Sequence, residues 1–315
     1  MILKNISSMI GSIFHDDQVL KDGPVDIEVS DANFRYNDSN NVLSDINLKI
    51  TEPGLYCVIG PNGVGKSTLI KCICKIEELS SGDVFIDGNN IRDLRHRDIA
   101  KYIGYVPVST EDVFSMSVLE TILVGCSNSN SSNESKMKAV YKCMSLLNIN
   151  NLASKNFAEL SAGQHQKVAI ARGIVQKPKV LILDEPTANL DVKYQVYVME
   201  LLRALAEHEK MTILMISHDL NISAKYAHKV IMMAKPGIIY KIGDPEEVIT
   251  KENVENVYGV HCKIIKDEDF GTPIVILGQS MMDSEGNLLE ESNKRSMEEM
   301  ENANGSRKIN TKVLG

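Results

Sequence analysis

The chain predicts an α/β fold: a doubly wound core, with a small antiparallel sheet ahead of it and a helical segment inserted within it. Three observations carry this. Short apolar runs at Gly54–Ile59, Val180–Leu183, Met211–Ile216 and Val230–Met233 alternate with helical patterns. A glycine-rich loop joins the first of these runs to the helix that follows it. An alternating apolar–polar stretch from Val25 to Ile50 precedes the core, and helical periodicity rules from Arg92 to about Leu160.

Each element has its reason. Ile2, Leu3, Ile6, Met9, Ile10, Ile13 and Phe14 fall at helical spacing, so residues 1–24 read as an extension carrying an amphipathic helix. Only Lys4 is basic there and no small-residue cleavage site follows, so a frayed or self-packed helix is preferred to an interfacial membrane anchor. VDIEVSDANFRY alternates as a strand, NDSNN turns, and NVLSDINLKI alternates again. LYCVI is a third strand, LIKCICKI a helix, and SGDVFIDG the strand that closes the antiparallel sheet. The helical segment, about residues 92–165, opens with the strand YIGYVP and has a Ser/Asn-rich break at Ser127–Ser135. Helices are expected at Val168–Val175 and Val192–His208. The main domain runs over 25–262, a short strand pair over 263–279, and a polar, aromatic-poor tail over 280–315 is expected to be disordered.

Composition narrows the function. The 315 residues are 43% hydrophobic and 24% charged, ordinary for a globular protein. A formal net charge of −8 argues against nucleic acid as a partner, which asks for a basic face. The six cysteines (Cys57, Cys72, Cys74, Cys126, Cys143, Cys262) show no metal-ligand spacing and read as buried thiols of a reducing cytoplasm. No segment approaches the ~20 apolar residues of a membrane-spanning helix, so any membrane work needs another chain.

Gly60-Pro-Asn62-Gly63-Val-Gly65-Lys66-Ser67-Thr68 matches G-x-x-x-x-G-K-[ST] between a strand and a helix. Its glycines let backbone N–H groups curl around phosphate oxygens, and the helix N-terminus adds partial positive charge. Lys66 is placed to reach the β- and γ-phosphates and Ser67 to ligate Mg²⁺. Leu181-Ile-Leu-Asp184-Glu185-Pro186 delivers Asp184 to the metal and sets Glu185 beside it as a general base for water.

Leu160-Ser161-Ala162-Gly163-Gln164 completes the pattern, with Ala188-Asn189-Leu190-Asp191 and Ser217-His218-Asp219. Together these motifs resemble the ATP-binding subunits of ATP-binding-cassette (ABC) transporters, over roughly Val25 to Gly278. The resemblance implies a P-loop NTPase (RecA-like) core with an antiparallel β subdomain and an inserted α-helical subdomain. It implies ATP and Mg²⁺ as ligands and an ATPase coupled to transport. It also implies a homodimer holding ATP in a head-to-tail sandwich at the cytoplasmic face of the cell membrane. On this resemblance Tyr36 stacks on adenine, Ser161 and the backbone N–H groups of Ala162 and Gly163 meet the γ-phosphate held by the opposite subunit, and Gln164 belongs to the same nucleotide site. Asp191 lines the interface and His218 touches the γ-phosphate. His165 is expected to be a surface residue.

The sequence departs from the family at one place. After YIGYVP the family has a glutamine at the metal and the attacking water; here the position is Val108. Ser109, Glu111 and Asp112 are the polar residues left to substitute, and slower or less tightly coupled hydrolysis is expected. VSDANFRYNDSNNVLSDINLKI and IGDPEEVITKENVENVYGV resemble the ATPases of ferric-siderophore, haem and cobalamin importers. That implies integral-membrane permease subunits and an extracellular substrate-binding protein as partners. Two rivals stand: a soluble ABC ATPase scaffold of the iron–sulfur assembly type, and a slow ATP-dependent clamp or sensor.

Overall fold

The computed structural model describes residues 2–14, 25–36, 41–108 and 116–281. The expected disordered tail lies almost wholly outside them, as do Ser109, Glu111 and Asp112.

Helix α1 (Ile2–Phe14) opens the chain. Strands β1 (Ile27–Phe34) and β2 (Leu43–Ile50) follow, then β3 (Gly54–Ile59), which runs through the glycine-rich loop into α2 (Lys66–Ile73). Next come β4 (Ser81–Ile86), the two-residue β5 (Asn89–Asn90), the single turn α3 (His96–Ile99) and β6 (Ile103–Val106). Helices α4 (Val118–Val124), α5 (Asn133–Leu146) and α6 (Ala162–Val175) lead to β7 (Val180–Leu183). The core then alternates: α7 (Val192–His208), β8 (Thr212–Ile216), α8 (Leu220–Tyr226), β9 (Lys229–Ala234) and β10 (Ile238–Gly243). Helices α9 (Pro245–Val248) and α10 (Lys251–Tyr258) precede the hairpin β11 (Val260–Lys266) and β12 (Pro273–Ser280).

The strands form three sheets. The central one runs β10-β9-β3-β8-β7-β6, parallel from β9 to β6, with β10 as an antiparallel edge. Every residue of β3, β7 and β8 is buried, as unbroken apolar runs in a sheet covered on both faces require. The antiparallel sheet β2-β1-β4-β5 packs its alternating apolar face against one side, with α2 between. Helix α3 joins this side through Ile99, and the other helices cover the opposite side. Within residues 92–165, expected as the helical subdomain, the strand read at YIGYVP belongs to the central sheet instead. Ile103–Val106 pairs with β7 and edges the central sheet, because its apolar residues fill the last parallel position. The inserted helices are α4 and α5, from Ser117 onward, and they pack against α6.

Side chains that accept a backbone N–H start most of these helices: Ser117 and Ser161 with full capping boxes, Ser132, Asp191, Asp219 and Thr250. Helix α1 is self-packed: Ile6, Ile10, Ile13 and Phe14 are buried against α5 and α7. Ser7 Oγ lies 2.9 Å from Nε2 of His208 at the end of α7, and Lys142 Nζ on α5 donates to the Ser12 carbonyl.

Candidate functional site

The site is built at the C-terminal ends of β3, β7 and β8, where an open parallel sheet presents its crevice. From β3 the chain turns through Gly60–Gly65 into α2. Gly60 has φ +149° and a Cβ there would meet the Met233 carbonyl at 2.4 Å. Gly65 has φ +100° and a Cβ would meet the Val42 carbonyl at 2.7 Å. Only glycine fits either position. Asn62 and Gly63 stand exposed at the loop tip.

Lys66 is buried and folds back over this loop, its Nζ donating to the carbonyls of Gly60 (2.8 Å) and Pro61 (2.9 Å). Burial lowers its pKa, and the charges of Glu185 and Asp184 oppose the shift. Ser67 Oγ donates to Oδ1 of Asp184 at 3.2 Å, and Thr68 is buried beside it. Asp184 leaves β7 with only 3% of its surface exposed. Burial raises its pKa and Glu185 adds to this, while the Ser67 hydrogen bond and the positive charges of Lys71 and Lys66 oppose. Lys71 escaped the sequence reading; its signal was its place one further turn along α2 from Lys66.

Glu185 takes φ +51°, a left-handed backbone that glycine or asparagine adopts more readily. His218, at the end of β8, meets it: Nε2 lies 2.5 Å from Glu185 Oε1. The carboxylate only accepts, so Nε2 carries the proton. One hydroxyl, two carboxylates, an imidazole and an ammonium thus converge beside a nest of backbone N–H groups. The set can hold a polyphosphate, order a water against it and take that water's proton.

The remaining predicted residues lie apart. Ser161 and Ala162 are exposed at the start of α6, which packs on α4, α5 and β6 rather than on α2. Ser161 and Gln164 close a capping box on each other (3.1 and 3.4 Å). Gly163 passes so close to the Asn189 carbonyl that a Cβ would sit 2.8 Å from it. Asp191 Oδ1 accepts the Tyr194 N–H at 3.0 Å and so caps α7. Gln195 Nε2 holds the Thr187 carbonyl at 3.1 Å, fixing the turn between Glu185 and Asp191. Tyr36 is 43% exposed and packs edge-on against Phe34, ring centroids 4.7 Å apart. Val108 is part-exposed where β6 ends. His165 is more than a surface residue: it is half-buried and stacks on Phe157.

A family model described as ABC transporter matches residues 43–188. The ferric enterobactin transport ATP-binding protein FepC of Escherichia coli is 32% identical over 239 residues, spanning 75% of this chain and 88% of FepC. The chain belongs to the ABC family. Its fold is that of an ABC ATPase, and its activity is ATP hydrolysis coupled to transport. Among solved structures, a metal-chelate type ABC transporter in an inward-facing conformation superposes with TM-score 0.68 at 25% identity. That match covers 81% of this chain and 98% of the other. An ATP-binding cassette dimer in a post-hydrolysis state, bound to ADP and Pi, gives TM-score 0.62 at 26% identity, covering 70% and 98%. Among the described residues no helix of this ABC subunit is long and apolar enough to cross a membrane.

Proposed function

We propose that this ABC subunit energises import of an iron-siderophore, haem or cobalamin-type metal chelate, working as a homodimer beneath integral-membrane permease subunits. The observation that carries the two-chain site is its split. Lys66, Asp184, Glu185 and His218 gather around one loop, whereas Ser161 and Ala162 stand exposed on a helix that does not pack against α2. Two copies arranged by two-fold symmetry place each loop opposite the other's Ser161. ATP between them binds the closed pair better than the open one, and hydrolysis removes the phosphate that held it closed.

Ser67 and Asp184 offer a hydroxyl and a carboxylate, hard oxygen donors suited to Mg²⁺ that keeps its other positions for phosphates and water. Ser67 and Asp184 would hold the ion, which would supply positive charge against the phosphates. Glu185 takes a proton from the water whose oxygen attacks the γ-phosphorus as the bridging P–O bond breaks toward ADP. His218 orients Glu185 and reaches the γ-phosphate. Tyr36 packs on adenine, and Asp191 and Gln164 shape the face between copies. FepC's enterobactin and the metal-chelate transporter support the substrate class. An extracellular substrate-binding protein and a place at the cytoplasmic face of the cell membrane follow from that reading. Val108 supports a slower cycle than a glutamine there gives.

Glu185→Gln, kept from hydrolysing, tests the core of this. ATP should convert it from monomer to dimer in light scattering, with a permease copurifying from membranes. A monomer at saturating ATP and Mg²⁺ defeats the reading.

A further inference from the structure

We propose that His165 is a positioning residue for the phosphate-binding turn at Ser161, acting on ATP only in the assembled pair. The proposal rests on the two-chain reading above. Residues 157–161 form a short loop: a 3₁₀ turn, Phe157–Glu159, then Leu160 in extended backbone, then Ser161 as the cap of α6. His165 grips this loop at both ends. Its backbone N–H donates to the Ser161 carbonyl at 2.8 Å. Its ring Nε2 lies 2.6 Å from the Phe157 carbonyl. A carbonyl only accepts, so Nε2 bears the proton and donates. The same carbonyl takes the Leu160 N–H at 3.2 Å, so one oxygen closes both the turn and the ring contact.

The ring also stacks flat on Phe157, centroids 4.4 Å apart and planes 15° from parallel. Phe157 is buried at 6% exposure and is itself a fixed point, its N–H donating to the Met116 carbonyl at 2.9 Å. Met116 precedes the cap of α4, Ser117. A chain of three contacts therefore runs from Met116, through Phe157 and His165, to Ser161. None of these contacts touches Lys66, Ser67 or Asp184. Loss of the His165 ring leaves the loop half of the site and the backbone bond to Ser161 intact, and releases the Phe157 end of the turn that the other half presents. Glutamine restores the amide donor at nearly the same reach as Nε2; phenylalanine restores the stack and leaves the carbonyl without its ring donor.

The test uses the full chain carrying Glu185→Gln. Fluorescent ATP binding to the monomer reads the loop half, and ATP-driven dimer formation by light scattering reads the joined site. His165→Ala should weaken ATP-driven association about tenfold, the scale of one lost hydrogen bond plus its stack. Monomer ATP affinity should stay within twofold. His165→Gln should recover most of the association and His165→Phe less. Equal losses in monomer affinity and association, or no loss in association, overturn the proposal. Ala162→Asp serves as the control for the underlying reading. If it leaves association unchanged, Ser161 does not meet ATP across the pair and both readings fall. If it abolishes association while His165→Ala does not, only the role of His165 fails.

Discussion

The ring of His218 lies 2.5 Å from the carboxylate of Glu185, although the two residues are 33 positions apart and leave different strands. This contact orients the carboxylate proposed to take the water's proton. Glu185→Gln keeps the shape and removes the base, so ATP binding should persist while phosphate release falls by about 10²–10⁴. His218→Ala should lower kcat with little change in ATP affinity. A malachite-green assay at saturating ATP and Mg²⁺ measures both.

Asp184 gives a pH prediction. Its pKa is raised, chiefly by burial. The folded protein thus holds this proton at pH values where the unfolded chain has lost it, so this group's contribution to stability falls as pH rises through that interval. The interval lies above the ordinary 3.8. Metal binding needs the ionised form, so Mg²⁺-dependent turnover should fail on acidification earlier than an exposed aspartate would make it fail. Asp184→Asn should lose activity at pH 7 while its melting temperature stays at or above that of the parent chain.

Val108 has no group that ligates metal or orders water. Val108→Gln should raise kcat several-fold in steady-state phosphate release, with ATP affinity unchanged because Lys66 and Ser67 are untouched. No gain in turnover would refute the part assigned to this position.

Helix α1 is structural. Ile10 is fully buried among α1, α5 and α7 contacts, so Ile10→Ala should cost about 2–4 kcal/mol in urea unfolding. Ser7→Ala, which removes the partner of His208, should cost about 1 kcal/mol.

Much of this was legible in the sequence. The mainly apolar runs at Gly54–Ile59, Val180–Leu183 and Met211–Ile216 announced a sheet buried on both faces, and G-x-x-x-x-G-K-S-T announced the loop between strand and helix. Both signals are local and periodic. What escaped was long-range. Nothing around His165 in sequence says that its ring reaches back eight residues to Phe157, or that Lys71 lends its charge to Asp184. Residues 102–107 read as the strand YIGYVP, but their partner did not: that this strand joins the central sheet beside β7 is decided by pairing across about 75 positions of chain. The N-terminal helix was visible as a pattern, but its groove between α5 and α7 exists only after folding.

Glu185 sits at φ +51°, a conformation that costs a glutamate about 1 kcal/mol and costs glycine almost nothing. Directed evolution that rewards heat resistance alone should therefore be drawn to this position and fill it with glycine or asparagine. The survivors would melt later and hydrolyse nothing. A screen for hardier variants of this ATPase must score turnover in every round, because the residue proposed as the base is one that thermostability selects against.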